Sequence, residues 1–125
     1  MAKKPGFPRW AAAYLFLQTA GVLVWWGFVL GSPGVARYFF LQGDSLRFLI
    51  PDLLFFVVLG GVAAGGIFRN KDWARFALWG LAGGSLYATA LDAVYAFQTG
   101  VGWLGPILMA PTVLIPSYLC WRAAR

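Results

Sequence analysis

RFLIPDLLFFVVLGGVAAGGIFRNKDWARFALWGLAGGSLYATALDAVY, from Arg47 to Tyr95, is two apolar segments joined by the basic turn Arg69-Asn70-Lys71-Asp72. A helix needs about 20 consecutive, mainly apolar residues to cross the hydrocarbon core of a bilayer, and both segments reach that length. Each carries one carboxylate, Asp52 in the first and Asp92 in the second. An ionisable side chain inside a spanning segment is costly, so both acids are candidate functional groups.

The rest of the chain extends this pattern. Of 125 residues, 61% are hydrophobic and 11% charged, against about 25% charged in an average soluble domain. The net charge of +6 does not point to nucleic acid, because the basic residues sit at segment ends and form no continuous face. One cysteine, Cys120, excludes an intrachain disulfide, and the absence of histidine argues against a zinc site or a His-ligated haem. No metal and no cofactor are expected. The basic amino terminus, Met1 to Arg9, precedes an apolar run of spanning length without a small-residue cleavage site, and reads as a retained anchor.

Four spans follow, at about 10–31, 47–68, 73–97 and 103–121, in a single domain covering 1–125. The fold class expected is all-α, an integral membrane four-helix bundle. In the first span Tyr14, Gln18, Gly21, Trp25 and Phe28 alternate at spacings of four and three, which sets them on one inward face. Ser32-Pro33-Gly34 ends that helix. Val35 to Leu41 is too short to span and too apolar to be solvated, so it is expected at the interface. The second span starts between Leu46 and Pro51, with Asp44 or Ser45 suited to cap an early start. Pro106, Pro111 and Pro116 fall in the last span, where interior prolines bend a helix and free carbonyls near Met109 to Thr112.

The ten basic residues set the orientation. Lys3, Lys4, Arg9, Arg69, Lys71, Arg75, Arg122 and Arg125 fall on one side and Arg37 and Arg47 on the other. The positive-inside rule then places both termini in the cytoplasm. Trp10, Trp73 and Trp121 mark the inner boundary and Trp103 the outer one. Gly61-xxx-Gly65 and Gly80-xxx-Gly84 lie at matching depth, and small residues at this spacing let helices approach closely. A contact there would leave the outer halves of the second and third spans free to splay around the two acids. Trp25, Phe55, Tyr87 and Tyr95 are expected to line the resulting cavity, with the proline-opened face at Pro111 and Thr112.

Ser85, Thr89, Asp92 and Tyr95 share one face of the third span, which lets Thr89 or Tyr95 hydrogen-bond the carboxylate. Apolar surroundings disfavour the charged form of a carboxylate, and a second carboxylate nearby adds to that effect. A pair of this kind holds one proton and exchanges it, which equips it for acid–base chemistry or proton-coupled transport. Plainer roles compete: Asp52, next to Pro51, would be stabilised at a helix amino terminus, Asp92 would pair with Arg47, and Gln18 would bond between helices.

At the last span, Ala110-Pro111-Thr112-Val113-Leu114-Ile115-Pro116 resembles the final helix of the EXPERA group, which includes the sigma-type sterol-binding receptor and the emopamil-binding sterol isomerase. The order of a short four-helix core, an early acid in the second helix and a basic turn before the third is similar as well. The resemblance implies that acids on neighbouring helices, here Asp52 and Asp92, move protons to and from a sterol double bond. The first-helix acid of the receptor branch and the histidine of the isomerase have no counterpart in this chain.

The expected partner is a membrane lipid or lipophilic small molecule, sterol- or isoprenoid-like, bound or isomerised in an intramembrane pocket lined by Gln18, Trp25, Phe55, Tyr87, Thr89, Tyr95, Pro111 and Thr112. The alternatives are a small proton-coupled transporter and a non-catalytic accessory subunit, alone, as a homodimer or in a larger membrane complex. A bacterial inner membrane is expected ahead of the endoplasmic reticulum.

Overall fold

The computed structural model describes residues 6–40 and 44–125. Lys3 and Lys4 of the basic amino terminus, and Leu41 of the predicted interfacial segment, lie outside these residues. Among these residues there are five helices: α1 (Arg9–Gly31), α2 (Pro33–Phe39), α3 (Ser45–Phe68), α4 (Ala74–Thr99) and α5 (Leu104–Ala124). The described secondary structure is entirely helical.

α1, α3 and α5 are long and apolar enough to cross a membrane. The helix of the third predicted span, α4, is the longest at 26 residues but is not among them. Gly80, Gly83, Gly84, Ser85, Thr89, Asp92 and Gln98 dilute its apolar content. α4 packs against α3 on one side and α5 on the other. Elsewhere the exterior is strongly apolar, with Leu17, Ile50, Phe68, Phe97 and Leu114 exposed. Soluble proteins seldom present such a surface, whereas a lipid-facing one requires it.

The long helices run alternately up and down. Trp10 at the start of α1 stacks on Tyr118 near the end of α5, with ring centroids 6.5 Å apart, so these two helix ends share one side, here the terminal end. Small side chains allow close packing there: Ala11, Ala12, Ala63, Ala64, Ala74 and Ala77 are buried together with Leu15, Phe56, Leu78, Leu81 and Leu119. In lipid this contact is stabilised by dispersion between well-fitted surfaces, because the hydrocarbon around it is as apolar as the core.

The glycine contact between α3 and α4 differs from the expected pairing. A side chain at Gly61 or Gly65 would meet open space. The crowded positions are Gly84, which receives the Phe55 ring, Gly80, which receives Leu59, and Gly66, which faces Ala74 and Trp73. Gly60 in turn admits Thr19 from α1. Gly84 and Gly80 thus each accept a large side chain of α3, so the two helices mesh there by knobs in notches.

α3 starts early, at Ser45, and Pro51 lies inside it. The seven residues after Asp52, Leu53–Leu59, form a π-helical segment before α geometry resumes at Gly60–Phe68. A proline without an amide hydrogen loosens the ladder, and a π segment is a common way to absorb the disturbance. In α5, Pro106 falls in the first turn, where no donor is missed, while Pro111 and Pro116 are interior. Of the carbonyls expected to be accessible, that of Met109 accepts from Thr112 Oγ1 and that of Pro111 from the Tyr14 hydroxyl at 3.3 Å.

Opposite the terminal end, α2 folds back over the bundle. Phe39 packs edge-on against Trp25 at 4.5 Å, and Phe40 touches Trp26, Phe48 and Tyr95. Gly102 holds this cap down. Its φ of +82 suits glycine, and a Cβ there would strike the Phe39 carbonyl oxygen.

Candidate functional site

α1 packs on α3, α3 on α4 and α4 on α5, whereas α1 and α5 approach each other mainly at the terminal end. Above the Tyr14–Pro111 bridge the two helices part. The gap is a cavity of about 350 Å³, within the size range of sites for small organic ligands. Its walls are Leu17, Gly21, Val22 and Trp25 from α1 and Gly105, Leu108 and Met109 from α5, with Phe56 behind and Phe39 and Phe40 above. Leu17 and Leu108 are largely exposed, so the rim opens sideways, on the face turned to the bundle's surroundings.

Both acids line this cavity. They reach it from different helices: Asp52 from the α3 segment just before the π turns, Asp92 from one turn below Tyr95 on α4. Asp52 is only 8% exposed, and its Oδ2 accepts a 2.8 Å hydrogen bond from Trp26 Nε1. The amino-terminal explanation for Asp52 does not hold, because α3 begins seven residues earlier at Ser45. Asp92 has no hydrogen bond and no ion pair among the described residues, so the structural pairing with Arg47 is absent. Its carboxylate lies beside Gly105, where a Cβ would come within 3.8 Å of Oδ2.

The hydrogen bonds expected for Asp92 are made elsewhere. The Tyr95 hydroxyl donates to Asp44 Oδ2 at 3.0 Å, joining α4 to the start of α3. Thr89 Oγ1 is buried without a partner, as is Ser85 Oγ one turn below it. Gln18 is 8% exposed, and neither its amide nitrogen nor its amide oxygen has a partner.

Of the residues expected at the site, Gln18, Trp25, Asp52, Asp92, Tyr95, Pro111 and Thr112 surround one cavity. Phe55, Tyr87 and Thr89 do not. Phe55 and Tyr87 meet each other at 6.4 Å on the α3–α4 seam, because the π segment turns Phe55 onto Gly84 and presents Phe56 to the cavity instead. Phe28, placed by periodicity on the inward stripe of α1, is 61% exposed, as the cavity ends at the α2 cap before reaching it. Sequence reasoning passed over Trp26, Phe39, Phe40 and Phe48. Trp26 lies about 100° round the helix from Trp25, and its pairing with Asp52 depends on the register between two helices. The apolar run after Pro33 was the available signal for the cap.

No family model, curated protein or solved structure matches the chain, and the site is interpreted from its geometry.

Proposed function

We propose that the protein is a multi-pass membrane protein whose four spans, α1, α3, α4 and α5, form a bundle with both termini cytoplasmic, in a bacterial inner membrane. Its function is to take a lipophilic small molecule, sterol- or isoprenoid-like, from the membrane into the cavity between α1 and α5. One observation carries this reading: a single laterally open cavity, aromatic and aliphatic in its walls, holds both intramembrane carboxylates. An apolar pocket with a few convergent polar groups is the usual form of a ligand site, and acids inside a spanning bundle are seldom retained without a role.

The acids differ in a way that suits proton exchange. Asp52 is anchored by Trp26, while Asp92 is left to a ligand. Between them they would hold one proton: one acid would give it to one carbon of a bound alkene, leaving a cation on the other, and the second carboxylate would take a proton from the carbon beyond that cation, which moves the double bond by one position without net oxidation. The resemblance of the α5 string around Pro111 to the EXPERA group supports this chemistry.

Gly21 offers the test, since it lines the cavity and a side chain there would meet open space. Mass spectrometry of organic extracts should find a defined lipid with the purified protein and lose it in Gly21→Phe at unchanged thermal stability. Identical extracts from the two proteins would overturn the proposal.

A second reading, a docking subunit in a homodimer or larger membrane complex, is favoured by Gly61, Gly65 and Gly83, whose Cβ positions all face open space and would admit another helix closely. Cross-linking between cysteines at Gly61 would test it.

A further inference from the structure

Beyond a lipophilic ligand in general, we infer that the cavity is built for an elongated molecule bearing a hydroxyl group, or a group of like hydrogen-bonding capacity, at each of two ends. The inference rests on the proposed ligand-binding role and concerns the chemistry of the ligand.

It follows from the partners of the hydroxyl, carboxyl and amide side chains around the cavity. Tyr14 is engaged with the Pro111 carbonyl, Tyr95 with Asp44, and Thr112 with the Met109 carbonyl. Asp52 Oδ2 is taken by Trp26. What remains falls into two groups: the two carboxylates beneath the α2 cap, and the Gln18 amide, whose donor and acceptor are both buried and unpartnered. Trp26, which marks the depth of Asp52, lies eight residues beyond Gln18 on α1, a rise of roughly 12 Å. Between the two polar sites lie Gly21, Val22, Phe56 and Leu108, which offer no side-chain hydrogen-bonding group, and Trp25, whose indole offers one N–H donor and no acceptor.

Gln18 sits nine residues into α1, roughly 14 Å from its start and so near mid-membrane. Lipid chains there have no hydrogen-bonding group to offer, and an amide left bare at that depth is costly. A hydroxyl both donates and accepts, so one such group satisfies both atoms of the amide. At the capped end the carboxylates require a donor, which a second hydroxyl supplies. A molecule with a single polar end would leave one of the two sites unpaired.

The probes are 1,10-decanediol and 1-decanol, added to the full-length protein in nanodiscs of defined phospholipid, with retention measured by mass spectrometry against empty nanodiscs. Wild type should retain the diol about tenfold more tightly than the mono-alcohol, the order of effect expected when a buried amide gains or lacks its partner. Gln18→Leu, which keeps the side chain's bulk, should bring the ratio close to one while 1-decanol binding is unchanged. Equal binding of the two probes to wild type, or a preference that survives in Gln18→Leu, would overturn the inference and leave the cavity reading standing. Failure of both probes to bind above empty nanodiscs would overturn the cavity reading itself, and the inference with it.

Discussion

Asp52 and Asp92 face the same space, yet their surroundings differ. The indole of Trp26 fixes one oxygen of Asp52 in place, and a hydrogen bond to a charged, buried group is worth about 1.5–3 kcal/mol. Trp26→Phe should therefore lower stability by about 1–3 kcal/mol, measured as a shift in thermal or denaturant unfolding in detergent. Pairing it with Asp52→Leu should recover most of the loss, since removing both partners leaves no bare polar group. Asp92 has no such anchor, so Asp92→Asn should leave the melting temperature near that of wild type while abolishing proton exchange with the ligand. Infrared difference spectra can follow this: the protonated carboxyl band that changes on ligand addition should disappear in Asp92→Asn and persist in Trp26→Phe. A band that survives in Asp92→Asn would move the exchange to Asp52.

Among the helices, the decisive contacts are those in which a glycine receives a neighbouring side chain. Gly84 is filled by the Phe55 ring, whereas Gly61 opposes nothing. Gly84→Leu should cost about 1–3 kcal/mol through overpacking, and Gly61→Leu should be close to neutral in the monomer, as unfolding of both in the same detergent would reveal. Gly102→Ala should be costly despite its small size, because the alanine would combine a left-handed φ with a collision against the Phe39 carbonyl. If it loosens the α2 cap, ligand dissociation should quicken. These elements also mark how far the chain could be read in advance. The long helices were legible from apolar length and from punctuation such as Ser32-Pro33-Gly34, and the meeting of Asp52 with Asp92 from their positions in consecutive antiparallel segments. The choice of Phe56 over Phe55 for the cavity was not, because it follows from the π segment after Pro51, which shifts every later side chain relative to ideal α periodicity. The matching of Gly84 to Phe55 depends on interhelical register, which spacing within one helix does not contain.

For the molecule as a whole, the bundle closes at its terminal end and opens toward the α2 cap, so on the proposed reading sidedness decides which leaflet would supply a ligand. Arg9, Arg69, Lys71, Arg75, Arg122 and Arg125 lie at helix ends or turns on the closed side, with Arg37 and Arg47 near the cap. If the closed end is cytoplasmic, as proposed, the cavity would draw on the outer half of the membrane. α4, flanked by α3 and α5, carries Ser85, Thr89 and Asp92 on the side turned into the bundle. Cysteine scanning tests the sidedness in a Cys120→Ala background. Gln98 is exposed at the capped end of α4, and Lys71 is exposed in the turn at the closed end. Thr99 is less suitable, because its hydroxyl bonds the Tyr95 carbonyl at 2.8 Å. Gln98→Cys should react with a membrane-impermeant maleimide on intact cells, and Lys71→Cys only after lysis. The reverse pattern would invert the protein and place the cavity in the cytoplasmic half. Labelling of both positions from one side would require α4 not to cross at all, since Gln98 and Lys71 stand at its opposite ends and a helix of 26 residues is roughly 39 Å long, more than the ~30 Å of the hydrocarbon core.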